Sequence, residues 1–96
     1  MKKIELLFEL MEYHKIYLYS GLTPRKVAKI LNCNYQEIER ALYIALGINL
    51  ADIITLYRVQ HSRGLLIKGV DFHDISALSG FRSKLRLISS FKAIVQ

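Results

Sequence analysis

Basic side chains concentrate near the C-terminus, where they can bind the phosphates of a nucleic acid. The stretch 70–92 reads as a short helix, a Gly80-Phe81 turn and a second helix. Such a helix-turn-helix can place its second helix in a DNA major groove. Four basic residues lie in or beside that second helix: Arg82, Lys84, Arg86 and Lys92.

A second set of polar side chains follows helical spacing earlier in the chain. Positions i, i+3, i+4 and i+7 are taken by Gln36, Glu39, Arg40 and Tyr43, opposite an apolar face. Arginine favours guanine and glutamine favours adenine at the base edges of the major groove. A face that is merely solvated gives the same pattern, so the spacing alone leaves both interpretations open.

The last helix has an outward face of its own. Leu85, Arg86 and Ser89 lie opposite its apolar side, with Lys92 toward one edge. The spacing therefore predicts two helices, one in each half of the chain, whose outward faces are available to a partner.

Residues for catalysis or metal binding are not grouped in this sequence. The three histidines are scattered, and with Cys33 they show no zinc-ligand spacing. There is no phosphate-binding loop and no dinucleotide glycine fingerprint. Acidic residues sit mainly at helix starts and on one helix face. We therefore expect no enzymatic activity, no cofactor and no metal.

The composition suits a small domain with a polyanionic partner. The chain has 96 residues, 52% of them hydrophobic, and a formal net charge of +6. No apolar run approaches the roughly 18 residues of a membrane span, and glutamates interrupt the N-terminal apolar segment as no signal peptide would. A single cysteine fits a reducing compartment. These features predict a cytoplasmic protein without membrane insertion.

Capping residues divide the chain into helices, which predicts an all-α fold. The first helix is expected over residues 2–19, and the next begins at Thr23-Pro24 and ends before a turn at 32–34. Further helices are expected over 35–46, 50–67, from Asp71 to the Gly80 turn, and over 83–95. Asn34 and Asn49 cap two of these helices, and Gly47 ends one in a left-handed conformation.

Apolar residues at helical spacing define the expected core. Gly64, inside the long fourth helix, predicts either close packing or early fraying there. The expected core residues are Ile4, Leu7, Phe8, Met11, Val27, Ile30, Leu31, Ile38, Ala41, Leu42, Ala45, Ile53, Ile54, Tyr57, Leu65, Leu66, Ile75, Leu78, Phe81, Leu87, Ile88, Phe91 and Ile94.

Several motifs in the right order resemble the DNA-binding domain of AraC/XylS-type transcriptional regulators. They are LTPRKVAKIL, NYQEIERAL leading to Gly47, Arg58 with Leu65-Leu66, and DISALSGFRSK followed by Phe91-Lys92. The resemblance spans about residues 22–92. It implies two helix-turn-helix lobes joined by a long central helix, six to seven helices in all. Both recognition helices would enter successive major grooves, about 34 Å apart.

The resemblance also implies an organisation and partners. The first lobe with its N-terminal helix would occupy residues 1–47, the linking helix 48–68 and the second lobe 69–96. The expected partner is double-stranded DNA, read in sequence-specific fashion for transcription regulation. A sensor or effector domain in a longer parent protein and self-association are further expectations.

Carried over position by position, the resemblance assigns roles to the outward faces. Leu85 is apolar where groove contact is expected, although it can touch a thymine methyl group. The first recognition helix is therefore the better candidate for base specificity, while the second grips the backbone. Base-reading candidates are Gln36, Glu39, Arg40, Leu85, Arg86 and Ser89, and phosphate candidates are Arg25, Lys26, Tyr43, Lys84 and Lys92.

A second function stays open from the residues alone. The apolar content is high, the first helix is neutral and rich in aromatic residues, and Tyr43 and Leu85 lie on the faces expected to meet DNA. These features also suit a divergent helix-turn-helix domain that acts mainly in protein–protein interaction or self-association.

Overall fold

Six α-helices and one short 3₁₀ helix make up the part of the chain that the computed structural model describes, residues 2–95. These residues contain no strand, so the predicted all-α class is confirmed. The helices are α1 (Lys2–Glu12), α2 (Pro24–Ile30), α3 (Tyr35–Leu46), α4 (Leu50–Ile67), α5 (Phe72–Leu78) and α6 (Lys84–Val95), and the 3₁₀ helix is Ile16–Leu18.

The helices form two compact units. The first unit contains the residues up to Ile16 together with Gly21–Ile53, and the second contains Tyr17–Ser20 together with the residues from Ile54 onward. Each unit holds one helix-turn-helix: α2 and α3 in the first, α5 and α6 in the second. The helix α4 runs from one unit into the other. The division of the sequence at residues 47 and 68 stays a prediction.

Polar side chains cap the helices of the first unit, as the sequence predicts. The Thr23 hydroxyl accepts a hydrogen bond from the backbone N–H of Lys26 at 3.2 Å. The Asn34 side chain accepts from the N–H groups of Gln36 and Glu37 at the start of α3. Gly47 ends α3 with φ +67°, in the left-handed region that glycine favours.

The two helix-turn-helix motifs share one turn geometry. The turn residue has a positive φ in both cases, +53° at Asn32 and +85° at Gly80. The residue after it donates its N–H across the turn, from Cys33 to the carbonyl of Ala28 at 3.1 Å. In the second motif, Phe81 donates to the carbonyl of Ser76 at 2.9 Å. The second helix of each motif, α3 or α6, then runs for 12 residues.

The core of each unit consists of apolar side chains from its helix-turn-helix and from the neighbouring helices. In the second unit, Val70 and Phe91 pack, half-buried, against the buried cluster. In the first unit the buried side chains are Leu7, Met11, Leu22, Val27, Ala28, Leu31, Ile38, Leu42, Leu50 and Ile53, and the second-unit cluster is Val59, Ile75, Phe81 and Leu87.

The prediction of a single helix over residues 2–19 was wrong. α1 ends at Glu12, and the chain turns through Lys15, which has φ +50°. Tyr17 then belongs to the second unit, where it is buried against the rings of Tyr57 and His61 at centroid distances of 5.4 and 6.0 Å. Burying this aromatic ring favours the turn over further helix.

Some predicted core positions are exposed because each helix buries only a narrow stripe of its surface. Ala45, for example, lies in the last turn of α3 and is exposed. A Cβ added at Gly64 would meet no atom within 4 Å, and α4 continues to Ile67, so neither close packing nor fraying occurs there. The remaining corrected positions, which the structure leaves between 37% and 52% exposed, are Ile30, Leu66, Leu78, Ile88 and Ile94.

Among the described residues, no single helix is long and apolar enough to cross a membrane. Only as a pair, bent by 67° at the break between them, do α3 and α4 reach the necessary length and hydropathy.

Candidate nucleic-acid interface

The outward face of α3 carries three polar or aromatic side chains in one row. Gln36, Arg40 and Tyr43 are the second, sixth and ninth residues of the helix, opposite the buried Ile38 and Leu42. All three are exposed, Tyr43 by 70%. Because i, i+4 and i+7 share one side of a helix, this row is available to a single partner surface.

Glu39 lies at the edge of this face and already has protein partners. One carboxylate oxygen accepts from the backbone N–H of Leu50 at 2.6 Å, and the other accepts from the hydroxyl of Tyr35 at 3.3 Å. Leu50 is the first residue of α4, whose early N–H groups lack helical acceptors. Glu39 therefore joins α3 to the start of α4, and a base contact would have to compete with these bonds.

Two of the basic side chains of α2, Arg25 and Lys26, lie at its N-terminal end. The guanidinium of Arg25 stacks over the ring of Tyr35, 4.6 Å from its centroid, in cation–π geometry. The Lys26 ammonium donates to the carbonyl of Gly21 at 3.0 Å. Both residues are exposed. The stacking fixes Arg25 next to the first residue of α3.

The outward face of α6 has the same register as that of α3. Leu85, Ser89 and Lys92 are the second, sixth and ninth residues of α6, and all are exposed. The helix begins after Ser83, whose hydroxyl accepts the N–H of Arg86 at 3.2 Å, as Asn34 does for α3. Each helix is thus capped by the residue directly before it. Each also presents its second, sixth and ninth residues on its outward face.

The two faces differ in charge. α6 contains three basic residues and no acidic one, whereas α3 contains two glutamates and a single arginine. Lys84, Arg86 and Lys92 are all exposed, so their ammonium and guanidinium groups can reach an anion. Positive charge therefore concentrates on α6, and polar hydrogen-bonding groups concentrate on α3.

Two arginines fasten the connector 17–20 within the second unit. Arg58 donates from Nε to the carbonyl of Tyr17 at 2.7 Å and from Nη2 to that of Tyr19 at 2.9 Å. Arg82 reaches the carbonyl of Ser20 at 3.4 Å. Burial lowers the pKa of Arg58 from its usual value, and the charge of Arg82 lowers that pKa further.

In the sequence, Arg58 stands out only as part of the motifs that resemble the AraC/XylS-type domain. The structure gives it a supporting role for the segment before α2, and no local signal in the sequence indicates this. The remaining candidates lie on exposed surfaces as described, and their DNA contacts stay predictions.

Groups of three or more histidine, cysteine, aspartate or glutamate side chains placed to hold a metal ion do not occur among residues 2–95. No family model matches the chain, and no curated protein matches its sequence.

A solved structure has a similar fold. It is the C-terminal domain of the two-component response regulator YesN from Fusobacterium nucleatum subsp. nucleatum. The TM-score is 0.86 at 21% sequence identity, and the match covers 100% of this chain and 98% of that chain. This likeness shows the fold. The six-helix fold is thus shared with a domain of a response regulator.

Proposed function

We propose that this chain is a sequence-specific double-stranded DNA-binding domain of a transcriptional regulator, of the AraC/XylS type. The observation that carries the proposal is the repeated register of α3 and α6. Each follows a short helix and a positive-φ turn, and each exposes its second, sixth and ninth residues. A helix presented in this way can lie in a major groove with its N-terminal residues at the base edges.

In the first unit, Gln36 and Arg40 read bases. Glutamine can form two hydrogen bonds to adenine, and arginine can form two to guanine. Phosphates on either side of these base contacts are bound by Tyr43, Arg25 and Lys26. Glu39 positions α3 against α4 through its bonds to Leu50 and Tyr35 instead of reading a base.

In the second unit, phosphate contacts dominate. Lys84 and Lys92 lie near the two ends of α6 and bind phosphates, which fixes the helix in the groove. Arg86 and Ser89 face base edges between them. The two helices occupy successive major grooves, about 34–36 Å apart. Because their faces differ, one copy reads an asymmetric site without a second copy.

The domain works as part of a longer regulator. Its structural neighbour is described as the C-terminal domain of a two-component response regulator. A sensor or effector domain elsewhere in the parent protein would then supply the signal, and DNA binding would supply the output. Both would act in the cytoplasm, where the target DNA lies.

The test is a fluorescence-anisotropy titration of duplexes selected from a random pool, run at two salt concentrations beside a random-sequence duplex. We expect selected duplexes to bind at least about 10³-fold more tightly than random ones, as is typical for specific recognition. Arg40→Ala should lose about 1–3 kcal/mol on the selected duplex and relax its preference at one base pair. If every duplex binds alike, with only a steep salt dependence, sequence-specific recognition is excluded.

One observation favours the alternative of a protein-interaction domain. The C-terminal half of α3 exposes Tyr43, Ile44 and Leu46 by 70%, 77% and 53%. Contiguous apolar side chains of this kind are common at protein interfaces. Sedimentation velocity distinguishes the two functions: a self-associating domain should dimerise without DNA, and Ile44→Ser should return it to the monomer.

A further inference from the structure

Leu85 is an apolar side chain at a reading position. It is 77% exposed, although it is the second residue of α6 and lies one turn before Ser89 on the outward face. The same position in α3 holds Gln36. The N-terminal residues of a recognition helix come closest to the base edges, so in the proposed complex a leucine at this position would meet the floor of the groove.

Leu85 packs neither into the apolar core nor into the cleft beside α6. The core side of α6 is formed by Leu87, which is fully buried. An apolar cleft of about 190 Å³ lies beside α6, and Leu85 is not among its lining residues, which are Leu66, Phe72, Ile88, Phe91 and Lys92. Leu85 therefore belongs neither to the core nor to this cleft. It is exposed on the face that also carries Ser89 and Lys92.

The major groove offers one apolar feature to such a side chain. Each base pair shows hydrogen-bond donors and acceptors there, and only thymine adds a methyl group, on C5. A leucine cannot pair with the donors or acceptors, and it would leave them without a partner. Contact with a thymine methyl removes apolar surface of both groups from water, which is favourable.

We propose that Leu85 reads a thymine methyl group, so that the second half of the DNA site requires a T·A pair opposite the N-terminus of α6. This inference rests on the proposed function. It makes α6 a reader of sequence as well as a phosphate-binding helix. It also predicts an asymmetric site, in which Gln36 and Arg40 recognise hydrogen-bonding groups in one half and Leu85 recognises a methyl group in the other.

The experiment replaces thymine by deoxyuridine, which lacks only the C5 methyl group. A duplex selected with the wild-type chain is synthesised with deoxyuridine at each thymine in turn, and binding is measured by anisotropy. We expect one position in the α6 half to lose about fourfold in affinity, the value for one methyl-sized group removed from a contact. With Leu85→Ala, the thymine and deoxyuridine duplexes should bind equally at that position.

Two further variants separate readout from folding. Gln36→Ala truncates the same position of α3 and should keep the deoxyuridine effect in the α6 half. Leu85→Gln should abolish the deoxyuridine effect, because the methyl contact is lost. It should also shift the preferred base at the thymine position to adenine, which glutamine favours. An equal deoxyuridine effect in wild type and Leu85→Ala, or none in wild type, overturns the inference alone. Failure to select any duplex overturns the proposed function and the inference together.

Discussion

The guanidinium of Arg58 bonds to the carbonyl oxygen of Tyr17 at 2.7 Å, although the two residues lie in different helical segments far apart in the chain. Its second bond, to Tyr19 at 2.9 Å, uses the planar fork of the side chain. Arginine keeps its charge even though burial lowers its pKa. The two carbonyl groups compensate for the water that this charge loses.

We expect Arg58→Lys to lower the free energy of unfolding by about 1–3 kcal/mol, because a lysine ammonium cannot reproduce two bonds in fork geometry. Urea denaturation followed by circular dichroism measures the loss. Arg63→Lys makes the same exchange at an exposed position of α4 and should change the stability by less than about 0.5 kcal/mol. Equal effects in the two variants would show that the bonds to the connector contribute nothing.

Three glycines should respond differently to alanine. Gly80 has φ +85°, and a Cβ there would collide with the backbone of Tyr17 and approach Leu18 to 3.1 Å. Gly80→Ala should therefore destabilise by more than about 2 kcal/mol, since strain and a backbone clash add. Gly47→Ala meets no atom within 4 Å at φ +67° and should cost only about 1–2 kcal/mol.

Gly64→Ala is the control in this series. Its φ is not positive, it lies within α4, and a Cβ there meets nothing within 4 Å. Alanine should stabilise the helix by about 0.5–1 kcal/mol. Melting temperatures of the three variants test the order. A Gly80→Ala variant as stable as the wild type would show that the connector does not pack against the turn as described.

Local features of the fold are predictable from the sequence, because caps and turns depend on neighbouring residues. Asn34 and Asn49 cap their helices, and Gly47 ends α3 in the conformation that the sequence predicts. The end of α1 is not predictable in this way. Tyr17 leaves the helical pattern because its ring and its carbonyl find partners in α4, and such long-range packing has no signature in the adjacent sequence.

In the candidate site, too, local features are predictable from the sequence and long-range contacts are not. Helical spacing predicts that Gln36, Arg40 and Ser89 are exposed, and the structure confirms this exposure. The spacing also puts Glu39 on the face, but its bonds depend on where the chain returns at Leu50 after the Gly47 turn. Periodicity gives the direction of a side chain from its helix, and it does not give the partner that the rest of the fold brings there.

Opposite faces of α6 provide a matched pair of leucine variants. Leu87 is fully buried, so Leu87→Ala should cost about 2–5 kcal/mol through lost contacts and a cavity. Leu85→Ala, two residues earlier and exposed, should stay within about 0.5 kcal/mol of the wild type. Thermal unfolding compares them directly. A large loss in Leu85→Ala would mean that this side chain packs against protein.

Variants of Glu39 distinguish a role in positioning α3 from a role in reading a base. Glu39→Ala leaves the N–H of Leu50 and the hydroxyl of Tyr35 without this acceptor, and we expect a loss of about 1–3 kcal/mol in stability. Glu39→Gln keeps an acceptor oxygen and should recover most of it. The base preference of either folded variant should match the wild type. A changed preference at one base pair, with unchanged stability, would instead make Glu39 a base reader.

Removing the ammonium of Lys84 should weaken binding to every DNA sequence by a similar factor, because a phosphate contact carries no sequence information. Lys84→Ala should also reduce the slope of log affinity against log salt by about 0.9, the contribution of one phosphate. Titrations of a selected and a random duplex at several salt concentrations give both quantities. Lys2→Ala removes the same charge from α1 and should leave the slope unchanged. If Lys2→Ala lowers the slope equally, DNA affinity depends on the net charge of +6 and not on the face of α6.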